Sequence, residues 1–215
     1  RPVGQRPQRG IGVDRVGPGA VAARAVPAPA PAGFVYDRRV PRLSTERLEL
    51  VPITLAVIEA VLSRDRAGAE RLVGATFPDA WPGDDLVARA FPYSLEAIRA
   101  DPDTRLWGDT LVLTRDTQPR VVGSVIFHGR PADGVAEVGY GVDEGARGQG
   151  YATEATRACI EWALQQPGMV AVHAVTFPWH RASLGVIRRL DMQQVGTRDH
   201  DTLGELLVFE KARVQ

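Results

Sequence analysis

Residues 143 to 152 read Asp-Glu-Gly-Ala-Arg-Gly-Gln-Gly-Tyr-Ala, a run suited to holding an anion through the backbone. A Gly-rich turn that opens a helix lets several N–H groups point into one space, and the positive end of the helix dipole adds to them. Gly148 and Gly150 can take positive φ and leave room for phosphate oxygens. Arg147 can add a charge-assisted bond, and small Ala152 leaves the approach open. The chemistry is that of diphosphate binding. A P-loop would need Gly-Lys-Ser/Thr at the helix start, whereas Gly150 is followed by Tyr151 and Ala152. A dinucleotide fingerprint would follow the first strand of a βαβ unit, and this run follows a meander of strands.

The elements that must position the loop can be read from periodicity. Glu46 to Val51 alternates apolar and polar residues as a half-buried strand, closed by Pro52. Thr54 can cap a helix with Leu55, Ile58, Val61 and Leu62 on one face, and a second helical patch covers 67 to 73. After an aromatic loop, 77 to 82, the segments 84 to 90 and 94 to 100 read as helix, with Ser94 as an N-cap. Three strands, 109 to 114, 120 to 127 and 135 to 142, form the meander. A helix from 150 to 164, a strand from 170 to 176, a helix from 181 to 190 and strands at 192 to 198 and 203 to 210 complete the chain. Such an order predicts an α/β mixed sheet with helices on both faces.

Residues 1–43 hold seven of the 16 prolines, eight Arg and two acids, a composition that buries too little apolar surface to order itself. They are expected to be a disordered tail preceding a domain at 44–215. The 26 basic and 26 acidic side chains balance, which argues against a nucleic-acid or membrane-surface partner and leaves a small molecule or peptide. Removing the tail leaves the remainder at about −6, either ordinary surface acidity or a mild bias toward cationic partners. The single cysteine, Cys159, excludes an internal disulfide and any multi-cysteine metal site. No run reaches the roughly 18 apolar residues of a membrane span. A cytoplasmic chain without a metal is expected.

Arg147-Gly-Gln-Gly150-Tyr-Ala152 resembles the Arg/Gln-x-x-Gly-x-Gly/Ala signature of the GCN5-related N-acetyltransferases (GNAT). Glu137 to Val142 ahead of it, Tyr151 to Ala155 within the helix, and Ala182-Ser183 before Val186 to Leu190 resemble the branch that acetylates ribosomal-protein N-termini. The resemblance spans about Glu46 to Glu210. It implies a mainly antiparallel sheet of six to seven strands whose fourth and fifth strands (135 to 142 and 170 to 176) splay into a V. The pantetheine arm of acetyl-CoA would lie along the first of these, paired with backbone near Tyr140, Gly141 and Val142. Its diphosphate would sit on the amides of Arg147, Gly148, Gln149, Gly150, Tyr151 and Ala152. The acceptor would be a primary amine, of a protein N-terminus or a small molecule, chosen by the helices of 52 to 101 and the late hairpin, in a monomer or homodimer.

Acyl transfer to an amine needs an unprotonated nucleophile, a polarised thioester carbonyl and a proton for the departing thiolate. Glu137 is the expected base, directly or through water, or else a solvent-facing strand residue. Ser183 is either the proton donor to the thiolate or a helix cap. His180 stands where relatives carry an Asn that contacts pantetheine or acceptor, and either replaces its hydrogen bond or titrates as an acid or base. Glu137, Ser183 and His180 are thus the catalytic candidates, the last two also touching the cofactor. His128 and His173 read as strand residues. Asp191-Met192 replaces the Gly-Phe of relatives. Cys159 falls on the apolar helix face with Ala152, Ala155, Trp162 and Ala163, which favours direct attack in a ternary complex over a cysteine-linked route. Trp81 and Trp179 either border the acceptor or anchor loops. The competing readings are a non-catalytic acyl-CoA-binding or sensing module, and an enzyme with a longer or acidic acyl donor.

Overall fold

The computed structural model describes residues 42–79, 91–200 and 204–214. Eight strands form one sheet: β1 (Leu43–Ser44), β2 (Leu48–Pro52), β3 (Asp109–Thr114), β4 (Val121–Phe127), β5 (Val135–Val142), β6 (Ala171–Thr176), β7 (Gln193–His200) and β8 (Gly204–Ala212). Their spatial order is β1-β2-β3-β4-β5-β6-β8-β7. All neighbours pair antiparallel except β5 and β6, which are parallel. The count exceeds the expected six to seven because the two-residue β1 pairs with β2 through Leu43 and Leu50. The first predicted strand begins two residues late, at Leu48.

Helices α1 (Leu55–Leu62), α2 (Arg66–Val73) and α3 (Phe91–Ala100) cover one face, and α4 (Tyr151–Gln165) and α5 (Arg181–Arg189) the other. Thr54 caps α1 by accepting from the Val57 amide. The buried face of α1 is Val57, Ile58 and Val61, so Ile58 and Val61 are buried as expected, while Val57 takes the place of the exposed Leu55. Ser94 does not cap a helix. It lies one turn inside α3 and donates its hydroxyl to the Asp109 carboxylate. The predicted helix at 84 to 90, Trp81, and all but the last two residues of the 1–43 tail lie outside the described residues.

The larger core packs α4 and α5 against β4, β5 and β6, including Phe127, Val138, Val142, Cys159, Val172 and Ile187. Cys159, Ala152, Ala155 and Ala163 are buried together as the helical spacing requires. Asp191 follows α5 with φ 55°, the left-handed turn for which glycine is better suited. Met192 is buried beside it, so the departure from Gly-Phe keeps both the turn and the apolar plug. No helix among the described residues is long and apolar enough to cross a membrane.

Candidate active site

Two neighbouring structures converge on the C-terminal half of β5. The first is a gap. Pairing of β5 with β6 runs from Val135–Ala171 to Glu137–His173 and stops there, although both strands continue. On its other side β5 remains bound to β4. The His128 amide donates to the Glu137 carbonyl at 3.0 Å and the Asp143 amide to the Val122 carbonyl at 2.9 Å. Odd-numbered peptide groups therefore face β4, and strand alternation turns those of Tyr140 and Val142 toward the gap. This is the predicted V, with a free strand edge along one arm.

The second is the loop. Asp143 accepts from the Gly145 amide and starts a short turn over Glu144–Ala146. Gly148 and Gly150 take φ of 83° and 82°, left-handed values that cost a side-chain-bearing residue about 1–2 kcal/mol. Gly150 is the N-cap of α4 and offers no side chain to its amides. Among the described residues the amides of Gly148 to Ala152 meet no partner. The Nε of Arg147 is buried and likewise unpartnered, its Nη1 lying 3.4 Å from Glu144. A buried donor without an acceptor is costly, and its place beside open amides and a helix N-terminus suits an anion such as a diphosphate.

Arg47 braces this loop from the β1–β2 turn, a role with no local signal in the sequence. Its Nη1 donates to the Gln149 carbonyl at 2.9 Å and its Nε to Glu154 at 2.7 Å. Its guanidinium also stands 5.0 Å from the centre of the Tyr151 ring. Glu154 takes a further bond from Thr45 at 2.5 Å, and its charge sits in the first turn of α4, where the helix dipole favours it.

Between the arms of the V lies a cleft of about 390 Å³, lined by Glu137, Tyr140, Thr176, His180, Ser183 and Arg198 among others. It brings together Glu137, Tyr140, His180 and Ser183, whereas Arg147 to Ala152 stand apart from it, joined by the run Tyr140–Val142. Glu137 is half exposed and bound through both carboxylate oxygens to Arg198 of β7, at 3.1 and 3.3 Å. It is therefore not a freely solvated strand residue.

His180, not Ser183, occupies the N-cap of α5, and no side chain caps that helix. The capping alternative for Ser183 thus falls away, and the residue lines the cleft. The Nδ1 of His180 lies 3.4 Å from the Thr176 hydroxyl, while its Nε2 is buried without a partner among the described residues. Tyr140 donates its hydroxyl to the Ser183 carbonyl at 3.2 Å, and burial pushes its pKa up to about 12. The side chain ties β5 to α5 across the V.

Burial raises the Cys159 thiol well above its usual range, so it stays protonated and inert. His173 pairs with Glu210 at 3.0 Å within β6 and β8, the structural role expected of it. Trp179 stacks on Phe177 at 4.9 Å and 9° beside the cleft mouth, and Phe177 and His200 line the cleft. Phe177, His200 and Arg198 were not found by sequence reasoning, because their relation to Glu137 arises from chain segments far apart. Among the described residues no group of three or more potential ligands could hold a metal.

Residues 47–193 match the acetyltransferase (GNAT) domain family, more than half of the chain. The chain belongs to this family. It is an acyltransferase, of a family whose acyl donor is acetyl-CoA. The protein named Uncharacterized N-acetyltransferase YjdG of Bacillus subtilis is 29% identical over 125 residues, 58% of this chain and 73% of that protein. The ribosomal-protein-S5-alanine acetyltransferase of Vibrio fischeri aligns with a TM-score of 0.59 at 14% identity, covering 80% of this chain and 96% of that one. RimL, a ribosomal L7/L12 alpha-N-protein acetyltransferase in complex with coenzyme A, aligns with a TM-score of 0.53 at 15% identity, covering 78% and 94%. At these identities the solved structures speak for the GNAT fold. That fold, with its V in a largely antiparallel sheet, is the one expected from the signature.

Proposed function

We propose that this enzyme transfers the acetyl group of acetyl-CoA to a primary amine by direct attack in a ternary complex. The observation that carries the reading is the parting of β5 from β6 just beyond Glu137, which leaves a strand edge leading to the loop amides. The peptide groups of Tyr140 and Val142 would hold the pantetheine arm as an added strand, whereas that of Gly141, expected to join them, is turned to β4. The amides of Gly148 to Ala152, with the orphan Arg147 Nε, would hold the diphosphate, the Arg147 amide being spent on the Glu144 carbonyl. Bound acetyl-CoA supplies an activated acyl carbon and a thiol leaving group.

The protein's own part is to place the amine and move two protons. An amine is largely protonated near neutrality, so Glu137, on the cleft lining and released from Arg198, takes its proton directly or through water. Ser183, on the cleft lining and without a capping role, would deliver a proton to the thiolate through its hydroxyl. The buried Nε2 of His180 offers a hydrogen bond where relatives offer an Asn amide. The inert Cys159 supports direct attack, and a single cysteine suits a cytoplasmic protein.

The test is thiol release by the full chain with acetyl-CoA and a panel of amino acids, small amines and peptides. Acceptor-dependent release above hydrolysis is expected. Tight CoA binding with no release from any acceptor would sink the reading.

A further inference from the structure

The cleft is lined by one carboxylate and one guanidinium, and these hold each other. Glu137 projects from β5 and Arg198 from the edge strand β7, 61 positions later, and both carboxylate oxygens receive a guanidinium nitrogen. The neighbouring polar pair, His173 and Glu210, is closed on itself at 3.0 Å. An ammonium that engages Glu137 must therefore take over oxygens that Arg198 now occupies. A simple amine would leave the guanidinium to water. An acceptor that also carries a carboxylate would return to Arg198 the planar, two-oxygen partner its fork is shaped for.

The pair is suited to such an exchange. The two side chains are 54% and 31% exposed, so opening them unpacks no core, and half-exposed ion pairs contribute little net stability. The stacked Phe177 and Trp179, with His200 beside Phe177, form an aromatic wall next to it.

We propose that the acceptor is a zwitterion of the amino-acid kind, its ammonium replacing Arg198 at Glu137 and its carboxylate replacing Glu137 at Arg198. This deepens, and rests on, the acetyl-transfer reading. Arg198 is accordingly a specificity-determining residue.

The test uses matched pairs, phenylalanine against phenethylamine and alanine against ethylamine. Their binding to the CoA-saturated full chain is measured by calorimetry, and thiol release is followed separately. Each amino acid is expected to bind about tenfold tighter than its decarboxylated partner, since one recovered charge-assisted pair is worth roughly that factor. Arg198→Gln should bring the ratio below about twofold with CoA affinity unchanged, and Arg198→Lys should keep part of it. Equal binding of the paired compounds, binding of neither, or a ratio that survives Arg198→Gln overturns the proposal. Discrimination in binding without thiol release from any acceptor keeps the zwitterion site at Glu137 and Arg198 and removes the acetyl-transfer reading on which its acceptor role rests. Thiol release that uses both members equally removes the proposal alone.

Discussion

The phosphate loop and the cleft mouth are two ends of one site built by opposite means. The loop is backbone: consecutive amides, two left-handed glycines and a helix terminus, all within residues 143 to 152. The mouth is side chains contributed by β5, β6, α5 and β7 and brought together by the sheet. A backbone device tolerates changes around it provided its dihedrals are kept, and it serves any member of a family that uses one donor. A side-chain device is rebuilt by single substitutions, which suits the end that must choose the acceptor. Different kinetic quantities should therefore answer to the two ends.

The largest expected effect separates them most sharply. Glu137→Gln keeps the shape and one acceptor oxygen but loses the base, and kcat/KM should fall by about 10²-fold, while the dissociation constant of CoA stays within about twofold. A comparable fall in CoA affinity would break the division. Gly150→Val is the reciprocal experiment. A β-branched residue at φ 82° must distort the N-cap of α4, and CoA affinity should drop by roughly 5- to 30-fold, the equivalent of the 1–2 kcal/mol left-handed cost. A thermal melt within a few degrees of the parent confirms that the domain remains folded.

Arg47→Ala tests whether the loop depends on more than its own ten residues. The guanidinium links the β1–β2 turn to the Gln149 carbonyl and Glu154, so its loss should weaken CoA about fivefold, near 1 kcal/mol, with kcat unchanged at saturating donor. An unchanged affinity would mean that Gly148 and Gly150 hold the loop unaided.

The same division explains what could be read from the sequence. The loop was legible because its chemistry depends on residue types at fixed local spacing, and β3, β5 and α4 fell within a residue of expectation because their apolar periods are unbroken. Glu137, His180 and Ser183 were placed by resemblance, and the fold does bring them to one cleft. Arg198 escaped notice because β7 is exposed along its whole length and carries no apolar alternation to fix which side chains face inward. The cap assigned to Ser94 failed for a related reason: the helix already runs at Phe91, and a part-buried Asp109 partner, invisible locally, claims the hydroxyl.

Tyr140 stands where the two ends meet, and its substitution has the smallest expected effect. If the strand serves the donor through peptide groups, Tyr140→Phe leaves CoA affinity within about twofold. It removes one hydrogen bond to the Ser183 carbonyl, costing about 1 kcal/mol and lowering Tm by roughly 2–4 °C. The pH dependence distinguishes this tether from a catalytic acid. Burial raises the hydroxyl from 10.0 to about 12, so the folded state favours the protonated phenol. The resulting stabilisation is full below pH 10 and is lost as the pH rises toward 12. The gap in Tm between parent and Tyr140→Phe should accordingly close over that interval. Between pH 6 and 9 the phenol keeps its proton, so the two proteins should show kcat/KM profiles of the same shape. A limb that vanishes in Tyr140→Phe would instead make Tyr140 part of the acid–base chemistry, and the strand would then serve both ends through its side chain as well as its backbone.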